Sequence, residues 1–231
     1  MNTVLREEKK FLIGLTDFYQ KRFYLEQLLH KDPHNGVFGY KVRSLYFDTP
    51  YDTDFSEKEA GVELRRKIRL RIYSPDSDFA MLEMKQKQGA QQLKRSLRLS
   101  RARAQGLIEG DYSQLLRYQE PFAAEIYGLM MRKCYLPKTI VEYDRTAFIA
   151  KENKTRITFD RNVVSTESDF NLFSSRLNMA PVLDPACIIM EVKFNGFLLS
   201  YIRDALSSVD RSELSVSKYV LARQHACLTH I

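Results

Sequence analysis

The chain has no tryptophan, only three cysteines, and few residues that interrupt regular structure, with nine glycines and seven prolines in 231 positions. Cys134, Cys187 and Cys227 stand far apart and no CxxC occurs, so neither a zinc knuckle nor a dithiol redox motif is supported and buried or idle thiols in a reducing compartment are expected. Met1 to Lys10 has no apolar core of signal-peptide length. No run approaches the roughly 20 apolar residues that cross a bilayer, and a cytoplasmic protein without a membrane span is expected. A GxxxxGK[ST] phosphate loop and a GxGxxG turn are both missing, which leaves no support for P-loop or dinucleotide folds. His30, His34, His225 and His230 lack metal-ligand spacing, and nothing resembles a serine or cysteine nucleophile elbow. A catalyst made from this chain would have to work with basic side chains and a metal held by few carboxylates.

Basic residues at every second position are what the chain does have. The clearest run is Lys67-Ile68-Arg69-Leu70-Arg71-Ile72-Tyr73, and weaker versions are Arg6-x-Glu8-x-Lys10, Glu83-x-Lys85-x-Lys87, Tyr143-x-Arg145, Arg156-x-Thr158-x-Asp160 and Glu191-x-Lys193. Side chains on a strand alternate between faces, so each run puts its charges on one side and its apolar residues on the other. A single charged strand face is ordinarily the solvent side of a half-buried sheet. Repetition in six stretches adds a second reading, because like charges on neighbouring strands repel and an anion between them would offset that cost. The net charge of +7 and an isoelectric point of about 9.2 favour anionic partners. Nucleic acid ranks low, since the cations sit at period two and no recognised RNA- or DNA-binding signature is present.

The length fits one domain over residues 1–231 with an ample core. Strands are expected at 4–13, 43–48, 62–73, 79–87, 92–99, 139–150, 154–161 and 186–194. Helices are expected at 15–30, 101–109, 111–118, 120–133 and 197–209, and from Ser215 or Ser217 to about 228. Thr16 or Asp17 is the expected cap of the first helix, whose core face would include Leu15, Phe18, Tyr19, Phe23, Leu25, Leu28 and Leu29. Pro137 is expected to stop the helix over 120–133. Residues 162–182 read as a polar excursion with a short strand. The turns at 74–78 and 88–90 join an antiparallel meander. The fold class is α+β, with an antiparallel sheet closed or nearly closed into a barrel and helices packed outside.

Nine short motifs, in order from residue 6 to residue 219, resemble the VTC domain: Arg6-Glu-Glu8-Lys-Lys10-Phe11, Arg43-Ser-Leu-Tyr46-Phe-Asp48, Lys67-Ile-Arg69-Leu-Arg71-Ile-Tyr73, Leu82-Glu83-Met-Lys85, Lys94-Arg95, Tyr143-Asp-Arg145, Arg156-Ile-Thr158-Phe-Asp160, Met190-Glu191-Val-Lys193 and Ser217-Lys218-Tyr219. That domain is the polyphosphate polymerase of the vacuolar transporter chaperone, a branch of the triphosphate tunnel metalloenzymes. The resemblance implies an antiparallel β-barrel forming a tunnel that binds ATP or another nucleoside triphosphate together with inorganic polyphosphate. By position, Lys10, Arg69, Arg71, Lys85, Lys94, Arg145, Arg156, Lys193 and Lys218 would hold phosphate, with Tyr143 and Ser217 adding contacts. Glu191 would hold Mn²⁺ or Mg²⁺, and Arg69, Arg71, Lys85, Arg145, Arg156 and Glu191 would carry the transfer.

The residue chemistry is compatible with that expectation. Phosphoryl transfer asks mainly for positioning and charge neutralisation. Arginine forks match phosphate oxygens, lysines add point charge, and one or two carboxylates suffice for a metal that phosphate oxygens and waters complete. Hydrolytic relatives typically open with ExExK, whereas Arg6 stands here at the first glutamate position. Fewer carboxylates favour holding long anions over activating water. Three activities stay open at the level of sequence: polyphosphate polymerase, triphosphate or tripolyphosphate hydrolase, and a non-catalytic binding module. The eukaryotic domain works beside an SPX domain and membrane helices that this sequence lacks, so a stand-alone bacterial-type member is expected. Protein partners are not legible.

Overall fold

The computed structural model describes residues 6–89, 91–206 and 217–229. In chain order these form β1 (Arg6–Ile13), α1 (Leu15–Leu28), β2 (His30–Lys31), β3 (Tyr40–Asp48), α2 (Thr53–Glu59), β4 (Leu64–Ile72), β5 (Phe79–Gln88) and β6 (Gln91–Ser100). There follow α3 (Arg101–Ile108), a 3-10 turn (Tyr112–Arg117), α4 (Pro121–Arg132), β7 (Leu136–Ile149), β8 (Arg156–Thr166), β9 (Ala180–Pro181), β10 (Ile188–Asn195), α5 (Ser200–Leu206) and α6 (Lys218–Thr229). Residues 4–5 of the first expected strand and 207–216, where two expected helix ends fall, lie outside the described residues.

Strand pairing follows the order β1-β10-β8-β7-β3-β4-β5-β6, with β2 and β9 pairing off this path. The fold is α+β with a large antiparallel sheet, as expected, but the sheet is not closed into a barrel. This corrects the closed-barrel expectation. At its β6 end the order finishes on a strand carrying Lys94, Arg95 and Arg98, and charges on an edge strand oppose the addition of another.

The chain divides into two compact units, one of Met1–Lys41, Tyr143–Val163 and Pro181–Ser217, the other of Val42–Glu142, Val164–Ala180 and Lys218–Ile231. In the first unit, β1 pairs antiparallel with β10 and β10 with β8. Alternation sends Ile13, Ile157, Phe159, Ile188, Met190, Val192 and Phe194 into a core that α1 covers with Phe18 and Leu25. Phe18 meets the Phe159 ring edge-on at 5.2 Å. The cap of α1 is Gly14, which offers no side-chain hydrogen bond, so neither Thr16 nor Asp17 has that role. Its core stripe is Phe18, Lys21 and Leu25, while Leu15, Tyr19, Phe23 and Leu28 are exposed. A helix stripe about 100° wide takes residues at steps of three and four, and the extra aromatics of α1 fall outside it.

In the second unit, β4, β5 and β6 form the expected meander, and β3 pairs antiparallel with β4. Leu45, Phe47, Ile68, Leu70, Ile72, Leu82, Met84, Leu97 and Leu99 turn inward against α3, the 3-10 turn and α4, represented by Leu107, Leu115, Ile126 and Met130. The end of α4 is set by Cys134 in the left-handed region (φ 52°), with the Tyr135 amide donating to the Met130 carbonyl at 3.0 Å. Pro137 therefore does not stop that helix; it is the second residue of β7.

Helix α2 went unread in the sequence because its cap comes from outside the local window. Asp48, fully buried at the end of β3, accepts from the backbone amides of Asp54 and Phe55 at 2.9 Å each. Asp54 itself is buried, and both its oxygens accept from the Tyr135 hydroxyl, at 3.0 and 2.9 Å. Burial, then the neighbouring Asp48 carboxylate, push the Asp54 carboxyl up to about 7. The folded protein keeps this proton while the unfolded chain releases it near its ordinary value of 3.8, so stability falls as pH rises from about 4 to about 7. Asp54→Asn is expected to remove that slope and to raise the melting temperature at pH 8 by several degrees, equivalent to about 1–3 kcal/mol. Thermal melts of both proteins at pH 5 and pH 8 check it; an equal difference at both values rejects the buried acid.

Candidate functional site

Each unit presents one charged strand face opposite its core. In the second unit that face carries Lys67, Arg69 and Arg71 on β4, Glu83 and Lys85 on β5, and Lys94 on β6. Glu83 is its centre. The Arg69 Nε donates to Glu83 at 2.8 Å and its Nη2 lies 2.7 Å away; Arg71 Nη1 is at 3.8 Å, and Lys94 Nζ pairs with the other oxygen. Burial alone would raise the Glu83 carboxyl, yet Arg69, Arg71 and Lys94 pull it down to about 2. Arg69 Nη1 also donates to the Tyr46 hydroxyl at 3.1 Å, and Arg71 Nε to Ser44 Oγ at 3.2 Å. Both arginines are thus held from β3 and β5, with their forks fixed before any ligand arrives. Lys67, Lys85 and Lys94 sit directly across from one another on three adjacent strands, a row of like charge that opposes sheet formation and favours an anion.

On this same face, the Tyr46 ring stacks on Tyr219 of α6 at 5.1 Å, and the Tyr219 hydroxyl donates to Asp48 at 2.6 Å. Tyr46 is consequently braced on one side while its hydroxyl accepts from Arg69 on the other. Lys218, also in this unit, is the first residue of α6.

In the first unit, antiparallel register sets Lys10 across from Glu191 and Glu8 across from Lys193. The four charges form a checkerboard, with acids on one diagonal and ammonium groups on the other. Lys10 Nζ lies 2.7 Å from Glu8, and Lys193 Nζ contacts Glu191 and reaches Glu8 at 3.6 Å. On β8 the face continues with Arg156 across from Lys193 and Thr158 across from Glu191. Arg156 donates through Nη2 to Asp32 at 2.7 Å and to the Tyr40 hydroxyl at 2.9 Å. Arg145 of β7 makes a two-pronged bond to fully buried Asp160, at 2.6 and 2.8 Å, and lies over the Tyr143 ring at 5.2 Å. Burial opposes its charge, but Asp160, Tyr143 and Glu191 hold the guanidinium pKa well above its ordinary value. Gly39 packs on this strand where a Cβ would fall 2.2 Å from the Arg145 carbonyl oxygen, a distance no side chain tolerates. Ser217, buried, closes this unit.

The expected site residues are therefore gathered in two groups. Arg69, Arg71, Lys85 and Lys94 share the second unit's face, whereas Lys10, Tyr143, Arg145, Arg156, Glu191 and Lys193 lie in the first unit. Sequence reasoning gave no role to Glu83, Glu8, Asp160, Asp32 and Tyr46, which hold those cations in place. Glu8 and Glu83 were visible as acidic members of the same alternating runs; Asp32 was not, because it reaches Arg156 from a turn 124 residues away.

Among the described residues, no group of three or more His, Cys, Asp or Glu side chains could hold a metal. A divalent cation fits a smaller donor set here. Glu191 is buried and Glu8 lies diagonal to it, giving two hard carboxylates that lysine ammonium groups contact. Mg²⁺ or Mn²⁺ takes one or two such carboxylates and completes its shell with phosphate oxygens and water.

No helix of the described residues is long and apolar enough to cross a membrane. No curated protein matches the sequence significantly. Among solved structures, the chain is similar to a Bacillus halodurans protein provisionally called an adenylate cyclase. Identity is 14%, the TM-score is 0.51, and 92% of this chain and 95% of that one are covered. A Pyrococcus horikoshii protein, PH1819, shares 14% identity at a TM-score of 0.42, with coverage of 98% and 99%. The first likeness concerns the fold alone. The sequence pattern of the VTC domain matches residues 5–227, nearly the whole chain. The chain belongs to the VTC domain family.

Proposed function

We propose that this protein is a metal-dependent polyphosphate polymerase that transfers the γ-phosphate of ATP to a growing inorganic polyphosphate chain. The observation carrying this reading is the cation-rich face of the second unit, where Arg69, Arg71 and Lys94 share the carboxylate of Glu83 and Lys67 and Lys85 stand in register with Lys94. Such a face is suited to a chain of phosphates and poor at activating water. In the reaction, a terminal oxygen of the polyphosphate attacks the γ-phosphorus, the bond to the β,γ-bridging oxygen breaks, and ADP leaves. Arg69 and Arg71 would clamp phosphate oxygens, with Tyr46 and Ser44 keeping their forks aimed. Lys85 and Lys94 would neutralise charge along the chain. In the first unit, Arg145, Arg156, Lys10 and Lys193 would hold further phosphate oxygens, with Tyr143, Ser217 and Lys218 as additional contacts. Mg²⁺ or Mn²⁺, held by Glu191 with Glu8, would supply charge neutralisation at the transferring group.

Hydrolysis is favoured by one observation, the pairing of Glu8 diagonal to Glu191, which restores a second carboxylate despite Arg6. One assay separates these activities. Purified protein with ATP and Mn²⁺ or Mg²⁺ is expected to yield ADP and polyphosphate, with one ADP for each phosphate residue added to the polymer. Orthophosphate without polymer supports hydrolysis, cyclic AMP supports the activity for which the Bacillus halodurans neighbour is named, and binding without any product leaves a binding module.

A further inference from the structure

Among the described residues, the hydroxyls of Thr146, Thr155 and Thr158 are shut from solvent and have no hydrogen-bond partner. Two of them have an ordinary explanation. Thr146 is in phase with core-facing Phe148, and Thr155 with core-facing Ile157 and Phe159, so both lie on the apolar side of the sheet where the methyl group packs. Thr158 lies on the opposite, charged side, between Arg156 and Asp160 along β8 and across from Glu191 on β10. It is 4% exposed.

The neighbouring groups leave this hydroxyl unused. Asp160 is occupied by both prongs of Arg145, and Glu191, which contacts the Lys193 ammonium, makes no hydrogen bond with this hydroxyl although it lies directly across from it. Arg156, two residues along the same face, has a second unused donor, its Nε, which is also shut from solvent without a partner. Two donors without acceptors, side by side on one strand face, describe the lining of an anion site, since a buried donor left unpaired costs stability that only an acceptor recovers.

We propose that the Thr158 hydroxyl is a phosphate-binding group, donating to a non-bridging oxygen of the phosphate that Arg156 and Lys193 hold. This rests on the reading of the first unit's face as a phosphate site. The neighbouring cationic side chains are long and partly exposed: Arg156 and Lys193 stand directly across from each other, one register step from the Thr158–Glu191 pair, with side-chain exposures of 34% and 23%. Re-pairing of their charges onto a phosphate would bring one of its oxygens to the hydroxyl.

Isothermal calorimetry with tripolyphosphate in the presence of EDTA tests this on wild type, Thr158→Val, Thr158→Ser and Arg156→Ala, with melting temperatures taken without ligand. Valine keeps the shape and removes the hydroxyl, so affinity is expected to fall about tenfold, while serine stays near wild type. The valine variant is expected to melt at the same temperature as wild type or higher, because an unpaired buried hydroxyl has been removed. That opposition of signs belongs to a ligand contact and not to a structural one. A valine variant with wild-type affinity overturns the proposal, as does one that melts lower, and as does a serine variant as weak as valine. If wild type binds no tripolyphosphate and Arg156→Ala leaves that unchanged, the phosphate reading of the face fails and the role of Thr158 with it; a failure of the hydroxyl alone leaves wild-type and Arg156→Ala binding clearly different.

Discussion

Tripolyphosphate affinity is expected to fall about a hundredfold or more when Arg69 and Arg71 are both replaced by Ala together with Glu83→Gln. Each lost charge-assisted hydrogen bond to a phosphate oxygen is worth about 1.5–3 kcal/mol, and two of them therefore exceed the about 2.7 kcal/mol that a hundredfold represents. The third substitution matters for stability. Arg69 and Arg71 look mutually repulsive in sequence, which suggests that removing both would leave the fold untouched or firmer. In the structure they share Glu83, so removing them alone strands a buried carboxylate beside Lys94 only, and loss of one side of a buried ion pair costs about 3–5 kcal/mol. Glu83 is held low in the fold, so its stabilising contribution is complete above its ordinary value of 4.5 and is lost as pH falls toward about 2. Calorimetry on the triple variant, with circular dichroism to establish folding, decides the matter. A folded triple variant that binds as tightly as wild type would make this an ordinary solvated face.

Glu191→Gln is expected to reduce metal-dependent turnover by more than about a hundredfold, because charge neutralisation by a bound metal contributes several kcal/mol to the transition state. Binding of tripolyphosphate in EDTA is expected to stay level or to tighten, since a negative charge disappears from among Lys10, Lys193 and Arg145. Rates measured across a Mn²⁺ titration, alongside metal-free binding, separate the two effects. Undiminished turnover sinks the assignment of Glu191 to the metal, and parallel loss of turnover and metal-free binding marks it as structural.

The alternating runs were legible because a strand has a period of two and each run carries its own apolar complement. Ile68, Leu70 and Ile72 are buried as the pattern requires, with Arg69 and Arg71 opposite. The meander was legible for the same reason, its turns marked by Ser74-Pro75-Asp76 and Gly89. What stayed hidden depends on contacts distant in sequence. Asp48 caps a helix that begins five residues after it, and Tyr219 reaches it from 171 residues further along. Pro137 misled because proline is read as a helix stop, whereas left-handed Cys134 had already ended α4. The surplus aromatics of α1 suggested a wide core stripe, but Lys21 lies buried within that stripe and four apolar residues face outward.

Asp48 receives donors from the Thr49, Asp54 and Phe55 amides and from the Tyr219 hydroxyl. Helix α6 is further joined to the α2 region by Arg223 to Asp52 and Gln224 to Glu59, each at 2.6 Å. The two helices therefore cannot loosen independently. Opening of either one breaks bonds belonging to the other, so they form a single local opening unit with a common opening free energy for their amides. Because Tyr219 also backs the Tyr46 ring, that opening removes the brace behind Arg69. The aim of a phosphate clamp is thereby coupled to the breathing of a C-terminal helix.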